Sequence, residues 1–179
     1  MRRFLSPRIP PLERVLLVES GSRRLYENLL PGLYSQASRV DLLTCFAGLP
    51  DHFRESSGRV YRTAEYPGSS ARRALYRELS RNNYSTLGII CSGEPIMTRW
   101  KWAAVAQVPA KVFILNENGD YFWLDRANWR TALHFIAFRS GLSGAGAVTT
   151  LARVLVFPVT LLYLLLFAAF VHIRRKVLA

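Results

Sequence analysis

Residues 13–34 read ERVLLVESGSRRLYENLLPGLY, and this stretch contains the pattern that decides the fold. Its four apolar residues, 15–18, have the length of a buried strand. A loop with glycine and serine follows, and then Leu25, Leu29 and Leu33 recur at the spacing of one helix face, although Pro31 interrupts the run. The stretch therefore predicts a strand, a tight loop and a helix, which together form the first half of a β-α-β unit.

The same alternation continues along the chain. Further strands are predicted where short apolar runs recur, at residues 40–46, 60–66, 87–91 and 111–115. Helices are predicted between them, at residues 70–83 and 95–108. Ser69 or Ser70 is the expected cap of the first helix, and Pro95 is expected in the first turn of the second.

A turn and an aromatic run follow the last of these strands. Asn118-Gly119 is a strong hairpin signal, and the aromatic run YFW at residues 121–123 is the expected partner strand. The predicted fold class is α/β: a Rossmann-like, mostly parallel sheet of about five strands with flanking helices and a terminal β-hairpin. Strands one to three should lie on one side of the sheet, with strands four and five on the other.

The composition excludes a disordered chain and points to an acidic partner. Of the 179 residues, 50% are apolar and 20% are charged, and the formal net charge is +12. All but three of the 24 basic residues are arginines, and arginine binds phosphate in a bidentate fork. Membrane lipids are the expected partners. Nucleic acid is not expected, because lipid already accounts for the charge. Coding bias in a GC-rich genome is the competing explanation for the arginines.

Cys45 and Cys91 both lie inside apolar runs, which predicts buried free thiols. Neither has a second cysteine or a histidine at the spacing of a metal site. No metal and no cofactor are therefore predicted, and no catalytic constellation is recognised.

Residues 154–173 read VLVFPVTLLYLLLFAAFVHI and carry no formal charge. This length predicts a C-terminal membrane helix; an apolar helix buried in an oligomer is the alternative. The basic cluster at residues 174–176 favours a cytoplasmic tail, whereas the lack of a secretory signal favours a cytoplasmic domain. A re-entrant helix, a shallow hairpin or a translocated tail would resolve the conflict. The expected location is the membrane, single-pass or monotopic, with the soluble domain in the cytoplasm.

Four segments are predicted. Residues 1–12 are an extended basic arm, and residues 13–126 are the Rossmann-like domain. Residues 127–147 are an amphipathic, interfacial segment and joint. Residues 148–179 are the membrane helix with its basic tail.

Ligands bind parallel sheets beyond the carboxyl ends of the strands, at the point where the strand order reverses. Two loops with glycine and serine meet there, and each leads into a helix whose N-terminus favours an anion. Neither loop matches the dinucleotide or P-loop glycine pattern, and helix capping is the ordinary alternative. The candidate ligand- or phosphate-binding residues are Glu19, Ser20, Gly21, Ser22, Arg23, Ser92, Gly93, Glu94, Asn116 and Glu117.

Three stretches, VLLVESGSRRLYENLLPGLY, YSTLGIICSGEPI and AKVFILNENGD, resemble the N-terminal half of GT-B glycosyltransferases of the heptosyltransferase type. The resemblance covers residues 13–120 and is one of layout, without a diagnostic motif. It implies a membrane-anchored relative of glycosyltransferases of envelope glycan or glycolipid synthesis, with a nucleotide sugar or a polyprenyl phosphate as ligand. Such enzymes have two domains, so activity would need a second protein subunit. The alternative is a non-enzymatic accessory or scaffold subunit of a membrane complex.

Overall fold

A computed structural model describes residue 6, residues 8–139 and residues 147–177 of the chain. The chain divides into two units, Met1–Trp129 and Arg130–Ala179. Residues 1–5 and 7 of the predicted basic arm, and residues 140–146 of the predicted joint, lie outside the described residues.

The first unit is built on one sheet. Its strands are β1 (Arg14–Val18), β2 (Arg39–Thr44), β3 (Val60–Arg62), β4 (Thr86–Ile90), β5 (Lys111–Leu115) and β6 (Tyr121–Trp123). They are arranged in the order β3-β2-β1-β4-β5-β6. All neighbouring pairs are parallel except β5 and β6, which form an antiparallel hairpin. This is the Rossmann-like order that the sequence predicts. Strands β1 to β3 lie on one side, β4 and β5 lie on the other, and the sheet ends in a hairpin.

Three helices connect the strands: α1 (Arg23–Tyr34), α2 (Ser69–Arg81) and α3 (Thr98–Gln107). Short 3-10 turns occupy Glu55–Ser57 and Thr63–Glu65. The helix α1 continues through Pro31. Every residue of β4 and β5 is buried, as expected for central parallel strands whose two faces are both covered.

The apolar core on one side of the sheet joins α1 to the central strands. Tyr26, Leu30 and Leu33 of α1 pack with Leu17 of β1 and Phe113 of β5. The Tyr26 hydroxyl donates to the carbonyl oxygens of Val18 and Gly88 at 2.8 and 3.1 Å, so its polar atom is satisfied within the core.

Two predicted helix starts are wrong by a few residues. Helix α2 begins at Ser69, and Gly68 precedes it without a side-chain cap. Helix α3 begins at Thr98 and not at Pro95, because Met97 has a left-handed backbone with φ of 50°. Pro95 stays in the preceding turn, where its carbonyl accepts from the Thr98 hydroxyl at 3.0 Å.

The second unit contains α4 (Trp129–Arg139), which begins at the last residue of the first unit, and α5 (Ala147–Val177). The apolar run at residues 154–173 lies within α5. Among the described residues, none of the helices is both long enough and apolar enough to cross a membrane. The single-pass membrane helix predicted from the sequence is therefore not supported.

Candidate functional site

An open cleft lies beyond the carboxyl ends of β1, β4 and β5, where the strand order reverses between β1 and β4. It has a volume of about 460 Å³. We call it the switch-point cleft, and its walls are the start of α1 and the loops after β4 and β5. The residues that line it are Ser22, Arg24, Leu25, Asn28, Ser92, Gly93, Glu94 and Glu117.

The start of α1 lines this cleft through Ser22, Arg24 and Leu25. Ser22 occupies the N-cap position, but its side chain makes no capping hydrogen bond. The first amides of a helix lack intrahelical partners and lie at the positive end of the helix dipole. The exposed Arg24 adds a full positive charge to the same wall. This wall is suited to an anion such as phosphate.

Glu19 and Arg23, both predicted to bind ligand, instead bind each other away from the cleft. The Arg23 Nε donates to Glu19 Oε1 at 2.6 Å, and the fully buried Glu19 also accepts from the Thr44 hydroxyl at 2.5 Å. Arg23 further donates to the Gly48 carbonyl at 2.8 Å and lies over the Phe46 ring. Its hydrogen bond to Glu19 raises the pKa of Arg23. Neither residue lines the cleft, because each charge is taken up by the other in this ion pair.

Ser20 and Gly21 are also buried in the fold and do not line the cleft. The Ser20 hydroxyl donates to the Ile90 carbonyl at 2.9 Å and accepts from the Ile90 amide at 3.1 Å, which ties β1 to β4. A Cβ on Gly21 would overlap the Ile90 side chain and lie 2.9 Å from the Ser92 Oγ. The glycine is therefore required for packing of the loop against β4, and not for the approach of a ligand.

The loop after β4 supplies the opposite wall. At the start of this loop, the Cys91 amide donates a hydrogen bond to the Leu115 carbonyl at 2.8 Å. The Ser92 hydroxyl is buried and has no hydrogen-bond partner within the described part of the chain. Gly93 and Glu94 are exposed at the rim. A buried hydroxyl without a partner is uncommon in folded proteins, and this one belongs to a residue of the cleft wall.

Of the two predicted site residues in the loop after β5, one lines the cleft and the other does not. Glu117 lines the cleft. Asn116 instead shapes the hairpin, since its Oδ1 accepts from the amides of Asn118 and Asp120 at 3.0 and 2.9 Å. Glu94 and Glu117 are thus the carboxylates of this cleft, and carboxylates accept hydrogen bonds from hydroxyl groups such as those of a sugar.

The predicted site residues did not include Arg24, Leu25 and Asn28, which line the cleft from α1. The signal was available, because Leu25 and Asn28 stand three residues apart on one side of the predicted helix. A buried cation, Lys101 of α3, lies behind the loop after β4. Its Nζ donates to the Ile90 carbonyl at 2.9 Å. Lys101 and Ala104, three residues apart, are the buried residues of α3.

Cys91 is buried as predicted, but Cys45 is exposed. Cys45 comes directly after the last residue of β2, so the apolar run that contains it extends beyond the strand. Partial desolvation by neighbouring groups raises the pKa of the Cys45 thiol, although the residue is largely exposed. Within the described residues, no group of three histidine, cysteine or acidic side chains is placed to hold a metal ion.

No family model matches the sequence, and no curated protein sequence is similar to it. Among solved structures, the crystal structure of UDP-D-quinovosamine 4-dehydrogenase from Vibrio fischeri is similar with a TM-score of 0.41 and 13% identity. The similarity covers 65% of this chain and 96% of that chain. A likeness at this level carries no argument about activity. The Rossmann-like assignment rests on the strand order of the sheet itself.

Proposed function

We propose that the first unit binds the phosphate group of a nucleotide sugar or a polyprenyl phosphate in the switch-point cleft. In this proposal the chain serves envelope glycan or glycolipid synthesis and needs a second protein subunit for activity. The observation that carries the proposal is the position of the cleft. It joins the uncapped N-terminus of α1, the exposed Arg24 and the buried Ser92 hydroxyl at the point where the strand order reverses.

The electrostatics of the cleft support a phosphorylated sugar over a bare anion. The amides of α1 and Arg24 favour the phosphate. Glu94 and Glu117 disfavour further negative charge but accept hydrogen bonds from hydroxyl groups. The relation to GT-B glycosyltransferases is part of the proposal, because Rossmann-like domains support many activities and the order of strands does not select among them.

A non-enzymatic accessory subunit is the second candidate. The structure around Gly21 favours it, because Ile90 fills the space that a pyrophosphate would need beside the first loop. The pairing of Arg23 with Glu19 and with the Gly48 carbonyl removes both charges from the cleft as well. In this alternative the cleft binds a ligand without chemistry, and the basic domain recruits a partner.

The binding proposal predicts a specific role for Arg24. Replacing Arg24 with glutamine should weaken binding of UDP-glucose or undecaprenyl phosphate about tenfold, since a charge-assisted hydrogen bond contributes about 1.5–3 kcal/mol and solvent screens part of it. Arg73→Gln is the matched control, because Arg73 is equally exposed but lies on α2. Isothermal titration of the full chain measures both. Gly93→Val should also weaken binding by narrowing the cleft.

Equal losses of ligand affinity in the Arg24 and Arg73 variants would mean that binding depends only on the net positive charge of the protein. The cleft would then not be the site. Binding that neither Arg24→Gln nor Gly93→Val changes would place the site elsewhere. The absence of binding to either ligand would leave the accessory subunit as the better candidate.

We also propose that α5 attaches the chain to a membrane. Between Leu155 and Phe167 its side chains are exposed and mostly apolar, including Leu155 at 72% and Val159 at 67% exposure. The exposed large apolar residues form a nearly continuous run: Leu155, Val156, Phe157, Val159, Leu161, Leu162, Tyr163, Leu164, Leu165, Leu166 and Phe167. Apolar surface of this extent on a helix is typical of contact with lipid or protein.

Removal of α5 is therefore expected to release the protein from the membrane. A truncated chain ending at residue 139 should leave the membrane fraction in a carbonate wash, whereas the full chain should stay. Thermal unfolding of the truncated chain, followed by circular dichroism, is the control for a folded first unit. Retention of the truncated chain after the wash would show that α5 is not the anchor.

A further inference from the structure

A second, apolar cavity of about 200 Å³ lies on the first unit, between α1 and the β5–β6 hairpin. We call it the apolar groove. It is lined by Leu12, Leu29, Gly32, Leu33, Gln36, Phe113, Tyr121 and Trp123. Among these side chains, Gln36, the Tyr121 hydroxyl and the Trp123 indole N–H offer hydrogen bonds. The groove is open to solvent, since Gly32 and Gln36 are exposed and Tyr121 is 62% exposed.

The groove follows the switch-point cleft along the same side of α1. Leu25 lines the cleft, Leu29 and Gly32 line the groove at successive turns of the helix, and Gln36 lines it just beyond the helix end. From Leu25 to Gly32 the distance along the axis is about 10 Å, at about 1.5 Å per residue. Helix α1 is thus one wall of both cavities.

The opposite wall also runs from one cavity to the other. Glu117, just beyond the end of β5, lines the cleft, whereas Phe113 in the middle of β5 lines the groove. Trp123 of β6 packs edge-on against Phe113 with ring centroids 5.8 Å apart, which extends the apolar wall. The wall that β5 and its following loop contribute is therefore polar at the cleft and aromatic at the groove.

The geometry points to an amphiphilic ligand, and we propose that the two cavities bind one lipid phosphate. This rests on the proposed phosphate site in the cleft and selects among its ligand classes. The phosphate lies at the start of α1, close to Arg24 and the Ser92 hydroxyl, and the hydrocarbon chain lies along Leu29 and Gly32. A nucleoside fits this groove less well, because its base and ribose need more hydrogen-bonding partners than the lining provides.

Ser92 supplies an observation independent of the helix terminus. Its hydroxyl oxygen is buried at the cleft wall and has no hydrogen-bond partner within the described part of the chain. The oxygen lies beside the buried Gly21 in this conformation. Rotation of the Ser92 side chain towards the cleft would let the hydroxyl donate to a phosphate oxygen, which satisfies a polar atom that is otherwise costly to bury.

Gly32 allows the groove to be filled without disturbing the fold. A Cβ at this position would meet nothing within 4 Å. Gly32→Leu places a branched side chain in the groove and replaces glycine by a residue with a higher helix propensity. Gly32→Ala is the matched control, because it changes the backbone in the same way but leaves most of the groove open.

The experiment compares ethyl phosphate with octyl phosphate by isothermal titration of the full chain in nanodiscs of zwitterionic lipid. Empty nanodiscs correct for partition of the alkyl chain. Octyl phosphate should bind roughly 50-fold more tightly, which assumes about a twofold gain per added CH2 in a half-open groove. Gly32→Leu should remove most of this gain and leave ethyl phosphate binding unchanged, whereas Gly32→Ala should keep the gain.

Equal affinities for ethyl and octyl phosphate would overturn the lipid inference and leave the phosphate site standing. A chain-length gain that survives in Gly32→Leu would overturn it too, because the chain would then lie outside the groove. If neither alkyl phosphate nor UDP-glucose binds, the phosphate site fails and the lipid inference fails with it.

Discussion

Replacing Gly58 with alanine is expected to destabilise the first unit by about 4 kcal/mol or more, which places it among the most damaging single substitutions. Gly58 lies just before β3, where the chain crosses the backbone of β2. A Cβ there would overlap the carbonyl oxygen of Val40 and lie 2.6 Å from its carbonyl carbon. The clash is with backbone atoms, so no rotamer change can relieve it.

The loss of stability in Gly58→Ala also involves a buried hydrogen-bond network next to the contact of Gly58 with β2. The Arg59 amide donates to the buried Asp41 Oδ1 at 2.7 Å, and the Leu42 amide donates to the Arg59 carbonyl at 2.9 Å. Asp41 also accepts from the Tyr84 hydroxyl at 2.5 Å. Lifting the chain away from β2 would lengthen the first two bonds and leave buried polar groups without partners, at about 1–3 kcal/mol each.

Gly32→Ala gives the opposite expectation and serves as the control. It meets nothing within 4 Å and lies inside α1, where alanine is about 1 kcal/mol more favourable than glycine. Urea unfolding followed by circular dichroism should move the midpoint down for Gly58→Ala and up for Gly32→Ala. An unchanged midpoint in Gly58→Ala would mean that the crossing is looser than the structure shows.

The comparison of Gly58 with Gly21 shows what a sequence reveals and what it does not. The strands, their order and the hairpin followed from apolar periodicity and from the Asn118-Gly119 turn, which are local signals. The tight contacts of Gly58 with β2 and of Gly21 with Ile90 depend on which strands become neighbours, so they leave no local trace.

The candidate site was only half predictable for the same reason. The switch point followed from the strand order, and it correctly brought Ser22, Ser92, Gly93, Glu94 and Glu117 to one cleft. The directions of side chains within the loops did not follow, because pairing partners such as Thr44 and Gly48 come from distant segments. Arg23 and Arg24 are adjacent in sequence, and only the fold decides which one faces the cleft.

The buried ion pair of Lys111 with Asp125 carries the second large expected effect. Lys111 Nζ lies 2.7 Å from Asp125 Oδ2, and the two side chains are 1% and 3% exposed. Lys111 also donates to the Ser6 carbonyl at 2.6 Å, and Asp125 accepts from the amide and the side chain of Asn128. The pair thus joins β5 to the segment after β6.

Removal of one partner leaves the other charge buried. Asp125→Ala should therefore cost about 3–5 kcal/mol, whereas the double replacement Lys111→Met with Asp125→Leu should recover most of that loss. Arg59→Gln is the control from an exposed pair, with side chains 57% and 38% exposed, and it should cost no more than about 1 kcal/mol. Chemical denaturation of each variant measures the difference.

The ion pair also predicts a direction of pH dependence. Burial alone would raise the pKa of Asp125, but the hydrogen bond from Lys111, those from Asn128 and the Lys111 charge outweigh it and lower the pKa. A carboxyl whose folded-state pKa is lowered stabilises the fold above its unfolded pKa, near 3.9, and this contribution is lost as the pH falls through the lower folded value.

The wild-type chain should therefore lose stability more steeply below about pH 4 than Asp125→Asn, which has no proton to gain at this position. Parallel acid titrations of the two proteins, monitored by near-ultraviolet circular dichroism, test this expectation. Identical acid profiles would show that Asp125 is not among the groups that set the acid stability of the fold.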